Sequence, residues 1–168
     1  MIYSPPPVHA ETRFQPSYVE IADSEIYERY REAESAILES REGSEYVRRK
    51  LAEVEIENRL LYLANLPSNW DSYGSDAPSS TAVHSAIAIA STFIRLGLIP
   101  DAVTPSPEGG IALCFVRNDR YADIECFNSG ETLAVRYSVD EDPKAWAIKP
   151  GDAASESTVD FFSSYLSA

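Results

Sequence analysis

The chain has 168 residues, with 27 acids against 14 bases and a net charge of −13 at neutral pH. Such a charge opposes non-specific attraction to nucleic acid or to an anionic membrane, and it favours solubility. With 44% apolar residues, among them ten Tyr, six Phe and two Trp, the chain has enough to build one domain with a real core and is not wholly disordered.

The two cysteines, Cys114 and Cys126, are not in a Cys-x-x-Cys pair with histidines nearby, which suits a reducing cytoplasm and assigns no metal site. Met1–Pro7 carries neither a basic n-region nor an apolar h-region, so no secretory signal is expected there.

Residues 1–20 contain Pro5-Pro6-Pro7 and Pro16 without a period, and read as an extended or disordered arm. Residues 21–66 read as charged amphipathic helix. Ile26, Tyr30, Ala33 and Ile37 recur on one face, and Val47, Leu51, Val54 and Leu61 mark a second stripe widened by Ile56, Leu60 and Leu63. Gly43-Ser44 is expected to interrupt the run, with Ser44 capping a second helix. The region is then a helical hairpin, or one long helix that buries its stripe against a second copy of the chain, which makes a homodimer through these helices a candidate assembly.

Leu66-Pro67-Ser68 ends the helical part and opens a compact module over 67–168. Asn69-Trp70-Asp71-Ser72-Tyr73-Gly74 follows at the junction. Ser79 or Ser80 is a natural N-cap for a helix whose apolar face is Val83, Ala86, Ile87, Ala90 and Phe93, with Gly97 as its C′ residue. The apolar run within Ala82–Pro100 is broken by His84, Ser85, Ser91, Thr92 and Arg95, so a buried helix is expected and not a membrane span.

Ala102-Val103-Thr104 is a candidate short strand, and Pro105-Ser106-Pro107-Glu108-Gly109-Gly110 a dense turn signal. Strands 111–117 and 120–127 joined at Asn118-Asp119 pair Ile111 with Cys126, Leu113 with Ile124 and Phe115 with Ala122. A further two-residue turn at Ser129-Gly130 would pair Cys126 with Leu133, Ile124 with Val135 and Ala122 with Tyr137, and set Asp123 across from Arg136. The two cysteines then point to opposite sides of the sheet. Asp140-Glu141-Asp142-Pro143 reads as a loop, Trp146 and Ile148 as a fourth strand, and the tail from Ser155 with Val159, Phe161, Phe162 and Tyr165 as a closing helix. The fold class expected is therefore α+β: an N-terminal helical region, one buried helix on a three- to four-stranded antiparallel meander, and a short C-terminal helix.

The chemistry-bearing residues point to no enzyme class. His9 lies in the proline-rich arm. His84 sits beside Ser85, but adjacent helical side chains diverge and no Gly-x-Ser-x-Gly elbow exists. Asp71, Asp76, Glu108, Asp123 and Glu125 are available as acid pairs, although in a chain with 27 acids some pair falls close by chance. Glu108-Gly109-Gly110 lacks the lysine and following helix of a phosphate loop, and Asp140-Glu141-Asp142 lacks calcium-loop spacing. Arg48-Arg49-Lys50 is hemmed by Glu45, Glu53 and Glu55, so direct nucleic-acid binding is not expected. Trp70 and Tyr73 read first as plugs at the end of the core, with Asp71 or Ser72 capping backbone donors, and second as interface anchors.

Leu66-Pro67-Ser68-Asn69-Trp70-Asp71-Ser72-Tyr73-Gly74, the Ser-capped Ala-rich helix, Pro105–Ile111 and the paired strands ending in a glycine turn together resemble a widespread group of small bacterial proteins. That group shares an "nWDgYGa … p-pdGGi-l-w" pattern. The resemblance covers about residues 62–138. Ser72 stands where the pattern more often has Gly, and Cys114-Phe115 where an acid and Trp are frequent. The resemblance implies a compact cytoplasmic α+β module and assigns no catalytic residue.

The expectation is a non-enzymatic acidic interaction protein of bacterial or phage origin, an inhibitor, antitoxin-like or accessory partner of another protein with a basic surface. Trp70, Asp71, Tyr73 and Glu108 are its candidate binding residues, with no catalytic residue, cofactor or metal assigned. The alternative is a small enzyme with an acidic site around Asn69–Gly74 and Pro105–Gly110.

Overall fold

A computed structural model describes Glu28, Arg29, Glu32 and residues 41–149 and 151–168. The element order is α1 (Arg41–Ala64), α2 (Ser80–Arg95), β1 (Ala102–Ser106), β2 (Gly110–Arg117), β3 (Arg120–Phe127), β4 (Thr132–Ser138), β5 (Glu141–Ile148) and α3 (Glu156–Ser167). The expected arm at 1–20 lies outside the described residues.

The α+β class is as read from the sequence, with five strands in place of three or four. They form one antiparallel meander in the order β1-β2-β3-β4-β5. The helices pack on one face of it, α1 across α2 and both α2 and α3 onto the central strands. Phe93 of α2, Phe115 of β2 and Phe162 of α3 meet at ring-centroid distances of 5.3, 5.6 and 5.7 Å. The two contacts of Phe162 are edge-on and the Phe93–Phe115 contact tilted, and together they pin each helix to the sheet.

Several local expectations hold. Ser79 caps α2, its side chain accepting the Ala82 N–H at 3.2 Å. At the other end Gly97 takes φ 91°, donates to Ile94 O, and lets Leu98 donate to Phe93 O. That double closure requires the left-handed backbone glycine adopts without strain. The closing helix expected from Ser155 is present, and Ser155, not singled out as a cap, caps it as Ser79 caps α2. Ile111, Leu113 and Phe115 pair with Cys126, Ile124 and Ala122 as read from the sequence. Cys114 and Cys126 are free and lie on opposite faces.

Three expectations are overturned. Gly43 and Ser44 lie inside α1 and do not break it. They are the third and fourth residues of α1, in its first turn, where glycine costs little, and the helix is held by a well-packed face further along. That face is Ala52, Ile56, Leu60 and Leu63, whereas Leu51 and Leu61 are exposed. Secondly, β5 begins at Glu141, so most of the acidic stretch is edge strand, where Pro143 is tolerated because its missing N–H falls outside the central ladder.

Thirdly, β4 is shifted by one residue from the expected register. Cys126 pairs with Thr132, Ile124 with Ala134 and Ala122 with Arg136, and Asp123 faces Val135. The cause is the turn. Gly130 at φ 90° donates to Phe127 O, and Phe127 donates to Glu131 O, so the loop holds three residues, Asn128-Ser129-Gly130. A left-handed third residue makes that loop form, and one extra loop residue inverts every side chain of the next strand. Leu133, Val135 and Tyr137 therefore turn away from the helices.

Arg29 lies 2.9 Å from Glu57 in an ion pair. In one continuous helix those residues would stand about 42 Å apart. Arg29 thus sits beside the middle of α1, as in the hairpin alternative, and not beyond its N-terminus.

Candidate functional site

The loop from Asn69 to Asp76 leaves α1 after Pro67 and is held by its own polar groups. Asn69 and Ser72 take φ values of 61° and 65° and Gly74 takes 95°. Asn69 N–H donates to Ser75 O at 2.8 Å, and Gly74 N–H donates to Asn69 Oδ1 at 2.7 Å. The Asp71 carboxylate is the hub. Its Oδ1 accepts the N–H groups of Tyr73 at 2.9 Å and Ser75 at 3.2 Å, and its Oδ2 accepts the Ser75 hydroxyl at 2.6 Å. The Ser75 hydroxyl, followed by the Tyr73 amide, pulls the Asp71 carboxyl below the ordinary carboxylate range. An acid so satisfied is a poor proton carrier at neutral pH.

The two aromatics have separate fates. Trp70 is half-buried and its indole N–H donates to Asp76 O at 3.3 Å, a bond within its own loop. Tyr73 is 94% exposed and plugs nothing. Non-glycine residues in the left-handed region cost roughly 1–3 kcal/mol each and persist where surrounding bonds over-determine them. Here they hold an aromatic ring out in solvent.

The turn Pro107-Glu108-Gly109 lies next to this loop. A Cβ on Gly109 would stand 3.5 Å from Asp76 Cβ and 2.9 Å from Asn128 Nδ2. Asn128, which the sequence reading did not single out, joins the parts. Its Oδ1 accepts Ser79 N–H at 2.6 Å, its Nδ2 donates to Ala77 O at 2.9 Å, and its backbone N–H donates to Gly109 O at 3.0 Å. A lone Asn in a turn gives no sequence signal for partners about fifty positions away. Trp70, Asp71 and Tyr73 belong to one loop, and the turn that carries Glu108 reaches it through Gly109, near Asp76; Tyr73 and Glu108 are exposed. Asp123 and Glu125 lie on the sheet face away from the helices, Glu125 within reach of the Glu108 charge.

His84 is exposed on α2, and His9 lies outside the described residues. Among the described residues, no three His, Cys, Asp or Glu side chains gather as a metal site. No helix among them is long and apolar enough to cross a membrane. Comparison of the chain with family models, with curated proteins and with solved structures finds no match.

Proposed function

We propose that this chain is a non-enzymatic protein-interaction module, of bacterial or phage origin, acting in the cytoplasm as an inhibitor, antitoxin-like or accessory partner of a protein with a basic surface. Tyr73 carries the reading. Its ring is 94% exposed on a loop whose backbone is closed by hydrogen bonds from Asn69, Asp71 and Ser75. A rigid exposed tyrosine supplies contact area at little conformational cost, which is what interface anchors need. Exposed Asp76 on the same loop, exposed Glu108, and the net charge of −13 favour steering of a cationic partner. The resemblance to small bacterial proteins with the WD-x-YG pattern, and a possible homodimer through the N-terminal helices, belong to the same proposal.

A photo-crosslinking side chain placed at position 73 tests it in the native host. One partner should be captured stoichiometrically, and capture should fall away when the crosslinker is moved to exposed Val139. Equal, heterogeneous capture from both positions would sink the interaction reading.

A further inference from the structure

The five-stranded sheet has two faces of opposite charge character. On the helix side the register places Arg117, Arg120, Arg136 and Lys144. Arg120 donates to Tyr165 O at 3.1 Å, and Arg136 stacks over the rings of Phe161 and Tyr165. On the other face the strands present Thr104, Cys114, Tyr121, Asp123, Glu125, Leu133 and Val135, and no lysine or arginine of the sheet points there. Among the described residues no helix or strand packs over this face, since α1, α2 and α3 share one core on the other side.

Asp123 is the anomaly on it. It is 8% exposed, and among the described residues it has no ion pair. Its Oδ2 accepts the Tyr121 hydroxyl at 2.6 Å, while its Oδ1 is buried with no hydrogen-bond partner. Asp123 thus places on this face a carboxylate whose charge no lysine or arginine among the described residues balances. Two residues along β3, on the same face and about 7 Å away by strand spacing, stands Glu125, half-buried and also without an ion pair among the described residues. Burial raises both carboxyls above the ordinary range, and for Glu125 the charges of Asp123 and Glu108 add to it. Besides half-buried Thr104 and Cys114, the exposed or half-buried side chains around them are apolar or aromatic: Val116, Tyr121, Phe127, Leu133, Val135 and Tyr137.

We infer that this face docks a protein segment that presents an arginine between aliphatic side chains, the guanidinium meeting Asp123 and Glu125 and the aliphatic flanks covering Leu133 and Val135. Charge complementarity selects a cation, because the face holds carboxylates alone. Arginine fits better than lysine, since its planar fork can serve two carboxylates at once and stack on Tyr121. Tyr73 is not part of this face, so the inference stands whether or not Tyr73 is an anchor.

The test is a titration of the isotope-labelled full chain with an acetylated, amidated peptide of alternating leucine and arginine, followed by amide resonances. The expected result is saturable shifts centred on Cys114, Tyr121, Asp123, Glu125 and Val135. Glu125→Gln should weaken binding about fivefold or more, and citrulline in place of arginine should abolish it. Asp123→Asn should act like Glu125→Gln, which decides alone if the asparagine variant does not fold. Tyr73→Ala should leave the affinity unchanged, separating this surface from the loop. Shifts spread over the acidic face of α1, equal binding of the citrulline peptide, or self-association of the chain through this face would each overturn the inference.

Discussion

Asn128 and Ser79, on turns 49 positions apart, share a 2.6 Å hydrogen bond in which the Asn128 side-chain oxygen accepts the Ser79 N–H. The bond ties the β3–β4 turn to the N-cap of α2. Because Asn128 also bonds Ala77 O and Gly109 O, one residue sets the relative position of three segments.

Asn128→Ala removes both side-chain bonds and leaves partly buried backbone groups unmet. A loss of about 1–3 kcal/mol is expected by denaturant titration, with the amides of Ser79 and Gly130 losing exchange protection first. An unchanged midpoint would show that the contact is incidental.

Gly110→Ala is expected to be far more damaging. A Cβ there would lie 2.2 Å from the Cys126 carbonyl oxygen and 2.9 Å from Phe127 Cα, both backbone atoms that cannot move aside, at a φ of 149°. The β2–β3 ladder must shift, at a cost of about 4 kcal/mol or more, so the variant should be largely unfolded at 37 °C by circular dichroism.

Asp123 and Glu125 make the free protein gain stability on mild acidification. Burial is the first cause of both shifts, and both folded pKa values lie above the unfolded ones. Their contribution is present in full below the unfolded carboxylate range and is lost as pH rises through the folded values. Asp123→Asn should therefore raise Tm at pH 7, and the gain should shrink towards pH 4. Asp71 has the opposite sign: its lowered carboxyl stabilises above the unfolded range and ceases to as pH falls through the folded value. Thermal melts of Asp123→Asn and Asp71→Asn across pH should thus diverge in opposite directions.

The thiols should differ in reactivity. Burial raises both, Cys126 up to about 12, while Cys114 is only half-buried on the uncovered face. Alkylation at pH 8 should modify Cys114 slowly and Cys126 only on unfolding. Equal rates in the native state would contradict the assignment of the two cysteines to opposite faces.

Tyr73→Ala should leave the melting midpoint within about 0.5 kcal/mol of wild type, since a ring 94% exposed contributes little to the core. Loss of partner capture with unchanged stability is the expected combination.

The Asn69–Gly74 stretch was legible as a built loop but only half legible as a site. Asp71 as a cap and Gly74 at positive φ follow from residue type, and both are present. Whether an aromatic at such a junction turns inward or outward depends on which positions of the loop take left-handed backbone. Asn69 and Ser72 do, and this separates Trp70 from Tyr73.

By itself the sequence determined the α+β class, a serine cap at Ser79 or Ser80, the Gly97 C-terminus of α2, and the β2–β3 pairing, because each follows from a local period or a local hydrogen bond. Only the tertiary structure decided which face of β4 is buried. A period of two shows that side chains alternate but leaves the phase between neighbouring strands open, and that phase belongs to the turn. The turn is closed by Gly130 at φ 90° and anchored by Asn128 to Gly109 and Ser79, contacts distant in sequence. One added turn residue moved Leu133 and Val135 out of the core, parted Asp123 from Arg136, and left a carboxylate facing outward without a cation.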